Sequence, residues 1–386
     1  MTLRVGKLVY GIIKLLPCLL AVLLASSCSS DVNSDELKGN TTLVTLTIAA
    51  SGNAATASRT VSGNSSTITR AGVSDPTNKD FYIKDLTVLI FDENGDVIGS
   101  TTISDLSHSS DGKITISSDG KITIRVLTRA AKKCTVYAIA NALALNNKTP
   151  FAGIATLSAL KSMVKSYTNA DDINKESCLL MMGKTADNSF DTTNSESAAA
   201  ISLQRLASRI DFNFTVNNDK TTDKTTGFPI VVDSYQLCNV PTSTFFQQSD
   251  FTNPSMPSGS ESTALYKSQG SITSSAEGTQ KTYTCYVYTN KDPSHKTYLL
   301  INAHSAVTGS DGTTYKVWNS EFHVNMPDIV KPNMHYTVNI TINGGATHGT
   351  AQGDCGVVAT YNAYPYFSGS TLNKWQSEPD RDLDLK

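Results

Sequence analysis

Strand-like alternation of apolar and polar residues runs through most of the chain and predicts a protein built mainly of β-strands. In the first half, residues 82–91 carry apolar side chains on both faces toward the end of the segment, which indicates a central strand. Asn94-Gly95 then predicts a hairpin turn. A second buried strand is expected at 134–140, and a pair of strands at 201–203 and 210–214. In the second half we predict strands at 230–240, 283–288, 298–303, 315–324, 336–342 and 357–364.

One or two short helices are expected, and the clearest lies at 156–166, where Leu157, Leu160 and Val164 recur at helical spacing. Residues 109–116 are repeated without change at 117–124. A duplication of even length keeps the same face of a strand buried, so both copies can be strands with Asp-Gly turns.

Polar stretches divide the chain. Residues 28–42 predict a tether, and residues 49–78, which contain almost nothing to bury, predict a long exposed loop. The polar stretch 217–227 is the predicted domain boundary. The expected domains are an N-terminal β-domain at 43–217, with its first strand in the segment 43–70, and a C-terminal β-domain at 226–386.

The N-terminal segment has the pattern of a bacterial lipoprotein signal. Three basic residues precede an apolar run at 15–24, which is too short to span a bilayer and fits a signal peptide. Small residues then lead to Cys28, and this arrangement resembles a lipobox. We therefore predict that the lipoprotein export machinery removes residues 1–27 and that lipid on Cys28 anchors the chain to the outer membrane. Ordinary cleavage after Ala25-Ser26-Ser27, with Cys28 incidental, is the alternative.

Composition and charge exclude several classes of protein. The 386 residues include 32 Lys plus Arg and 34 Asp plus Glu, so no global field favours nucleic acid as a partner. Charged residues make up only 17% of the chain, whereas hydrophobic residues reach 39% and can build cores. This composition, low in charged residues and sufficient in hydrophobic ones, indicates β-rich domains that face an extracellular medium. It excludes a coiled coil, a collagen and a polytopic membrane protein.

No catalytic, cofactor or metal site is predicted. The six histidines are dispersed, and the chain has neither a nucleophile elbow nor a phosphate-binding glycine loop. The acidic run 92–96 lacks the distal Glu of a calcium loop and is better explained by the hairpin turn. The five cysteines after Cys28 are odd in number and widely spaced, so they predict no disulfide framework.

Taken in order, several segments resemble the fimbrillin family, the pilins of type V pili, over residues 43–366. The segments are YIKDLTVLIFDENGD at 82–96, VYAIAN at 136–141, Met182-Gly183, LQRLASRIDF at 203–212, YVYTN at 286–290 and PNMHYTVNI at 332–340. The chain departs from the family at Asn333-Met334-His335, where members often have Arg-Asn before the tyrosine, and in its polar tail after Tyr366.

The resemblance implies two tandem β-sandwich-like domains of transthyretin type, a lipoprotein precursor and polymerisation at the cell surface. It implies that the partners are other copies of this chain or related pilins, an Arg-specific extracellular protease, and an adhesion target on a host or on bacteria. Cofactors and nucleic acid are not expected.

Proteolytic maturation is predicted in the polar loop. Arg59 and Arg70 are the only arginines between Cys28 and Arg125, and an extended polar segment is accessible to a protease. Arg70 is the first choice, because the sequence that follows it resembles the mature start of the family's main subunits.

Two strands are expected to take part in assembly. Leu43, Val44, Leu46 and Ile48 form the strand that cleavage would release, and their apolar face is predicted to be buried. In the family, the vacated groove is filled by the C-terminal segment of a neighbouring subunit, and the matching donor strand here contains Val357, Val358, Ala359 and Tyr361. The alternative is that this segment is only the last strand of its own domain.

Two other functions compete with a structural pilin. A surface glycan-binding lipoprotein would share the lipid anchor, the β-domains and the aromatic residues, and an extracellular hydrolase is the third reading. The loop with two isolated arginines after a detachable strand favours the pilin, because a binding module has no need for it.

Overall fold

A computed structural model describes the protein over residues 41–50, 77, 79–108, 114–118, 120–146, 151–190, 197–217, 230–247, 266–268, 281–308, 314–343 and 356–365. Within these residues the chain forms mainly β-strands, as the alternating pattern predicts. The strands are β1 Thr41–Ala50, β2 Leu86–Phe91, β3 Val97–Ile103, β4 Ile114–Ile116, β5 Ile122–Arg129, β6 Ala131–Ala140, β7 Val164–Ser166, β8 Met181–Phe190, β9 Ser197–Arg205, β10 Ala207–Asn217, β11 Ile230–Cys238, β12 Ser243–Phe245, β13 Tyr266–Ser268, β14 Lys281–Tyr288, β15 Tyr298–Thr308, β16 Thr314–Asn325, β17 Met334–Asn343 and β18 Gly356–Pro365. The helices are α1 Ala142–Asn146, α2 Leu157–Lys161 and α3 Asp172–Lys175, with a 3₁₀ turn at Leu106–His108.

The N-terminal half is one eight-stranded sheet that closes on itself. Its order is β1-β9-β8-β6-β2-β3-β5-β4, and β1 also pairs with β5, so that β1 lies between β5 and β9. The enclosed core contains residues from every side of the ring, including Val44, Val88, Ile124, Val136 and Leu203. The strand β1 therefore completes the wall around this core.

The predicted central strand is confirmed, because all six residues of β2 are buried. One face of β2 contributes to the enclosed core, and the other packs in a second cluster with Tyr137, Leu160 and Phe246. The hairpin after β2 is also confirmed. Gly95 has a φ of 83°, and the Asp92 carboxylate accepts hydrogen bonds from the amides of Asn94 and Asp96 at 3.0 Å.

The C-terminal half places two four-stranded sheets against one core. Their orders are β14-β10-β17-β18 and β13-β11-β15-β16. Phe212 and Val338 from the first sheet meet Val232, Ile301 and Val324 from the second. This arrangement gives the layered packing of a β-sandwich.

The two strands predicted at 201–203 and 210–214 are both present, but they lie in different sheets and do not pair with each other. β9 pairs with β1 and β8, whereas β10 pairs with β14 and β17, and only Leu206 separates the two strands. The sheets therefore divide at Leu206, ahead of the polar stretch at 217–227. The predicted domain bounds remain a prediction, but β10 belongs with the sheets of the second half.

The predicted helix at 156–166 is shorter than its pattern indicates. Thr156 caps α2 by accepting a hydrogen bond from the Ala159 amide at 3.2 Å, and the helix ends at Lys161. Val164 lies instead in β7, which pairs with β12 from the second half of the chain. Both copies of the duplicated octapeptide contribute a strand, β4 and the start of β5, with Ile114 opposite Ile124.

Candidate functional site

The strand β1 is held on both edges. It runs antiparallel to β5, from Thr41 opposite Arg129 to Ile48 opposite Ile122, and parallel to β9. Val44, Leu46 and Ile48 point into the enclosed core and are fully buried, as the sequence predicts. A strand in this position stabilises the domain both by its ladder hydrogen bonds and by its buried apolar face.

Leu43 does not share the buried face, although the sequence grouped it with the other three residues. Successive side chains of a strand point to opposite faces, so Leu43 lies outside and is 44% exposed. Its cross-strand neighbour on β5 is Leu127, which is 50% exposed. The inward position beside Val44 is instead Thr42, which is buried.

The residues that flank β1 would form an apolar groove if the strand left. On one side, Ile122, Ile124 and Val126 of β5 face the core. On the other, Ile201 and Leu203 of β9 do the same. The edges of β5 and β9 would then present unpaired backbone groups, and such edges favour the addition of another strand.

The predicted cleavage and lipidation sites lie outside the described residues. These are Arg59 and Arg70, Cys28, and the signal peptide at 1–27. The segment 79–85, which follows the predicted loop, is described and is tightly bound to the rest of the chain.

Asp80 connects this segment to the second half of the chain. Its carboxylate accepts hydrogen bonds from Arg209 Nη1 at 2.9 Å and from the Tyr286 hydroxyl at 2.5 Å. Its backbone carbonyl accepts a hydrogen bond from Nε of Arg205, a residue that is only 1% exposed. The Arg205 guanidinium also lies 4.9 Å from the centre of the Phe81 ring. The segment is therefore fastened to the ends of β9, β10 and β14.

Lys79 strengthens the same junction. Its ammonium donates to the carbonyl of Ile173 and lies 4.8 Å from the centre of the Tyr286 ring. Burial lowers the pKa of Lys79 to about 8, although neighbouring acidic groups, Glu176 foremost, oppose the shift. A lysine in this environment loses much of its hydration, and its contacts with the protein take the place of the lost water.

Asp85 and Asn141 fix the start of β2. The Asp85 carboxylate accepts hydrogen bonds from the amides of Leu143 and Ala144 and so caps α1. The Asn141 side chain donates to the carbonyls of Tyr82 and Leu179 and accepts from the Lys84 amide. The segment 79–85 thus has partners in both halves of the molecule.

The predicted donor strand forms the edge of a sheet in the second half. β18 pairs antiparallel with β17 along its whole length, from Gly356 opposite Asn343 to Pro365 opposite Met334. Val357, Val358, Ala359 and Tyr361 all lie within it. In this chain, therefore, the segment is the last strand of its own sheet, and its role as a donor remains a proposal.

The described residues contain no group of His, Cys, Asp and Glu side chains arranged to hold a metal ion. Cys134, Cys178, Cys238 and Cys285 are buried and form no disulfide among the described residues, and Cys355 lies outside those residues. Across the same described ranges, no helix has the length and apolar character needed to cross a membrane.

The sequence did not identify the junction around Asp80. Its partners Arg209 and Tyr286 lie 129 and 206 residues away along the chain. No local sequence pattern predicts contacts between residues so far apart. The sequence feature that comes closest to predicting the junction is the presence of Arg205, Arg209 and Asp211 in otherwise apolar strands. Charged side chains are rarely buried without partners.

Comparison with known proteins gives a match to one family model and a similar fold. Residues 44–232 match the family described as major fimbrial subunit protein (FimA). No curated protein matches the chain. A fimbrilin from Porphyromonas gingivalis has a similar structure, with 13% identity and a TM-score of 0.50 over 87% of this chain and 100% of that one.

Candidate cell adhesion proteins from two other species have a similar fold. For the protein from Bacteroides eggerthii the identity is 18% and the TM-score 0.55, over 85% of this chain and 97% of that one. For the protein from Parabacteroides distasonis the identity is 16% and the TM-score 0.55, over 85% of this chain and 98% of that one. Residues 44–232 thus match a family of fimbrial subunits, and the chain has a fold similar to that of the solved fimbrilin.

Proposed function

We propose that this protein is a structural pilin of a cell-surface fimbria that supports adhesion, and that it polymerises by exchanging strands after proteolysis. One observation carries the proposal. β1 completes the wall of the N-terminal core, yet the only chain segment that joins it to the rest of the described domain is the polar stretch of residues 51–78. A single cut there would leave β1 attached by non-covalent contacts alone.

The energy that retains the cut strand is moderate. Burial of Val44, Leu46 and Ile48 contributes roughly 1.5–3 kcal/mol for each side chain, and each ladder hydrogen bond adds about 1 kcal/mol net. A strand from another subunit that makes equivalent contacts can supply the same burial and the same hydrogen bonds. Its entry would restore the wall and pair the edges of β5 and β9.

The incoming strand in this proposal is β18 of a neighbouring subunit. It contains Val357, Val358, Ala359 and Tyr361 and lies at the edge of its own sheet, where it has a single pairing partner, β17. Because the donor and the acceptor lie at different places on the subunit, the contact is heterologous. Repetition of such a contact does not close and produces a fibre.

Two variants test this mechanism. In one, the chain is truncated after Gly356. In the other, Arg59 and Arg70 are both replaced by Ala. Each should be exported, folded and monomeric, whereas Lys132→Ala, at an exposed position of β6 away from the groove, should polymerise as the wild type does. Filaments that persist in either test variant would show that strand exchange is not the route of assembly. A monomer that binds glycans and forms no polymer would favour the glycan-binding alternative.

Maturation by an Arg-specific extracellular protease is part of the proposal, with Arg70 as the first site and Arg59 as the second. The N-terminus of subunits purified from filaments, read by mass spectrometry, should begin at Ala71. An intact segment 43–70 in those filaments would contradict the claim.

Lipid on Cys28 is proposed to carry the precursor to the outer membrane through the lipoprotein export machinery. Cys28→Ala should abolish the incorporation of labelled fatty acid and block delivery to the surface. Cys18→Ala, within the predicted signal peptide, is the matched control and should leave labelling unchanged. Equal labelling of both variants would contradict the assignment.

A further inference from the structure

The outer face of the wall around β1 carries an isolated apolar pair. Leu43 and Leu127 face each other across β1 and β5 and are 44% and 50% exposed. The next outward positions are polar, with Thr45 opposite Arg125 and Thr47 opposite Thr123. Directly opposed side chains are the unit of stabilisation in a sheet, and the apolar side chain directly opposite Leu127 lies on the strand proposed to leave.

Departure of β1 would leave Leu127 without that partner. The side chains on the inner and the outer face of the groove would then both determine which incoming strand fits. Inside, it offers the positions vacated by Val44, Leu46 and Ile48. Outside, the β5 edge offers one large apolar side chain near the end of the strand, followed by polar ones, and the β9 edge offers only the small Ala198 and Ala200.

The strand β18 matches both requirements in one alignment. It has ten residues, as β1 has. In its sequence, Val357, Ala359, Tyr361 and Ala363 alternate with Val358, Thr360, Asn362 and Tyr364. The first set is the more apolar, and a period of two places it on a single face.

We propose that β18 of a neighbouring subunit enters this groove end to end in place of β1, with Gly356 at the position of Thr41 and Pro365 at that of Ala50. Val358 then takes the place of Leu43 and packs against Leu127. Thr360 replaces Thr45. The proposal rests on the strand exchange put forward above and adds the partner's register.

Other registers fail at Leu127. A strand must shift by two residues to keep its apolar face inside, because a shift of one turns every side chain to the opposite face. A shift in one direction places Gly356 opposite Leu127, and a shift in the other places Thr360 there. Neither supplies an apolar neighbour, so Leu127 selects the end-to-end register.

Pairs of cysteines test the register within assembled filaments. The background is Cys355→Ser, because Cys355 lies three residues before Val358, whereas Cys134, Cys178, Cys238 and Cys285 are buried. Filaments with Leu127→Cys and Val358→Cys are treated with a thiol cross-linker of short reach and separated on denaturing gels. We expect a ladder of covalent oligomers. Leu127→Cys combined with Gly356→Cys or with Thr360→Cys should give only the trace found with Leu127→Cys alone.

A second pair of cysteines, two residues further along each strand, tests the same register. It can be used if substitutions at Leu127 impair assembly. Arg125→Cys should cross-link to Thr360→Cys, and the shifted pairs of Arg125→Cys with Val358→Cys or Asn362→Cys should not. A ladder from shifted pairs alone would overturn the register but leave strand exchange standing. Filaments that form normally and give no ladder with any pair would overturn both.

Discussion

Two buried aspartates, one in each half of the molecule, have pKa values shifted in opposite directions. Burial alone would raise the pKa of Asp211, but hydrogen bonds from His335, Arg209 and Thr284 outweigh it and hold the pKa well below its usual range. For Asp85, burial raises the pKa, and the backbone amides it accepts from only moderate the effect. Asp211 is therefore stabilised in its charged form, and Asp85 is not.

Asp211 should make stability depend on pH on the acid side. Because its folded pKa lies below the unfolded value, its contribution is complete above about pH 3.9 and is lost as the pH falls toward the folded pKa. Asp211→Asn should be less stable than the wild type at neutral pH, by roughly 1.5–3 kcal/mol for hydrogen bonds to a charged group. The difference should shrink as the pH approaches about 3. Urea unfolding at a series of pH values measures it.

Asp85→Asn provides the contrast. A folded pKa above the unfolded one favours the folded state at low pH, and this advantage declines as the pH rises through the folded value. Asn can still cap α1, so the variant should lose stability toward acid more steeply than the wild type. Parallel pH profiles for the two variants would show that their environments do not differ as described.

At the scale of elements, the two faces of β1 should differ sharply in their response to truncation. Leu46 is fully buried and Leu43 is 44% exposed. Leu46→Ala in the uncleaved precursor should cost about 2–5 kcal/mol, because it removes apolar contacts and leaves a cavity. Leu43→Ala, the matched control, should cost about 1 kcal/mol or less, as expected for an exposed cross-strand pair. Urea unfolding of the two precursors measures the difference, and equal losses would contradict the burial pattern.

The sequence predicted the elements better than their partners. Period-two patterns fix which segments are strands, and so β2, β6, β15 and β17 lie where the alternation indicates. The same patterns are silent about pairing, since β9 and β10 are adjacent in sequence yet belong to different sheets. The alternation also predicted which residues of β1 face inward. Leu43 was assigned to the wrong face because it was grouped with Val44, although adjacent residues of a strand point to opposite faces.

At the scale of the whole molecule, the junction between the halves acquires a mechanical role in the proposed fibre. Tension would enter each subunit at the groove between β5 and β9 and leave through β18. The two halves are connected directly by Leu206 and, through side chains, by Asp80 with Arg209 and Tyr286. Phe246, from the second half, adds an apolar contact by packing beside Tyr137 and Leu160 in the N-terminal half.

Asp80→Ala should loosen this junction without unfolding either half. The change removes the carboxylate that Arg209 and Tyr286 contact, at an expected cost of roughly 1–3 kcal/mol because these two partners are partly buried and lose their hydrogen-bond acceptor. Lys296→Ala is a matched control, since Lys296 pairs with Asp328 at the same 2.9 Å as Arg209 with Asp80, but both side chains are largely exposed. That pair should contribute about 1 kcal/mol or less. Hydrogen exchange measured by mass spectrometry should accelerate at residues 79–85 and at the start of β10 in Asp80→Ala only. Unchanged protection there would mean that the other contacts between the halves, such as the packing of Phe246 and the pairing of β7 with β12, hold the junction without Asp80.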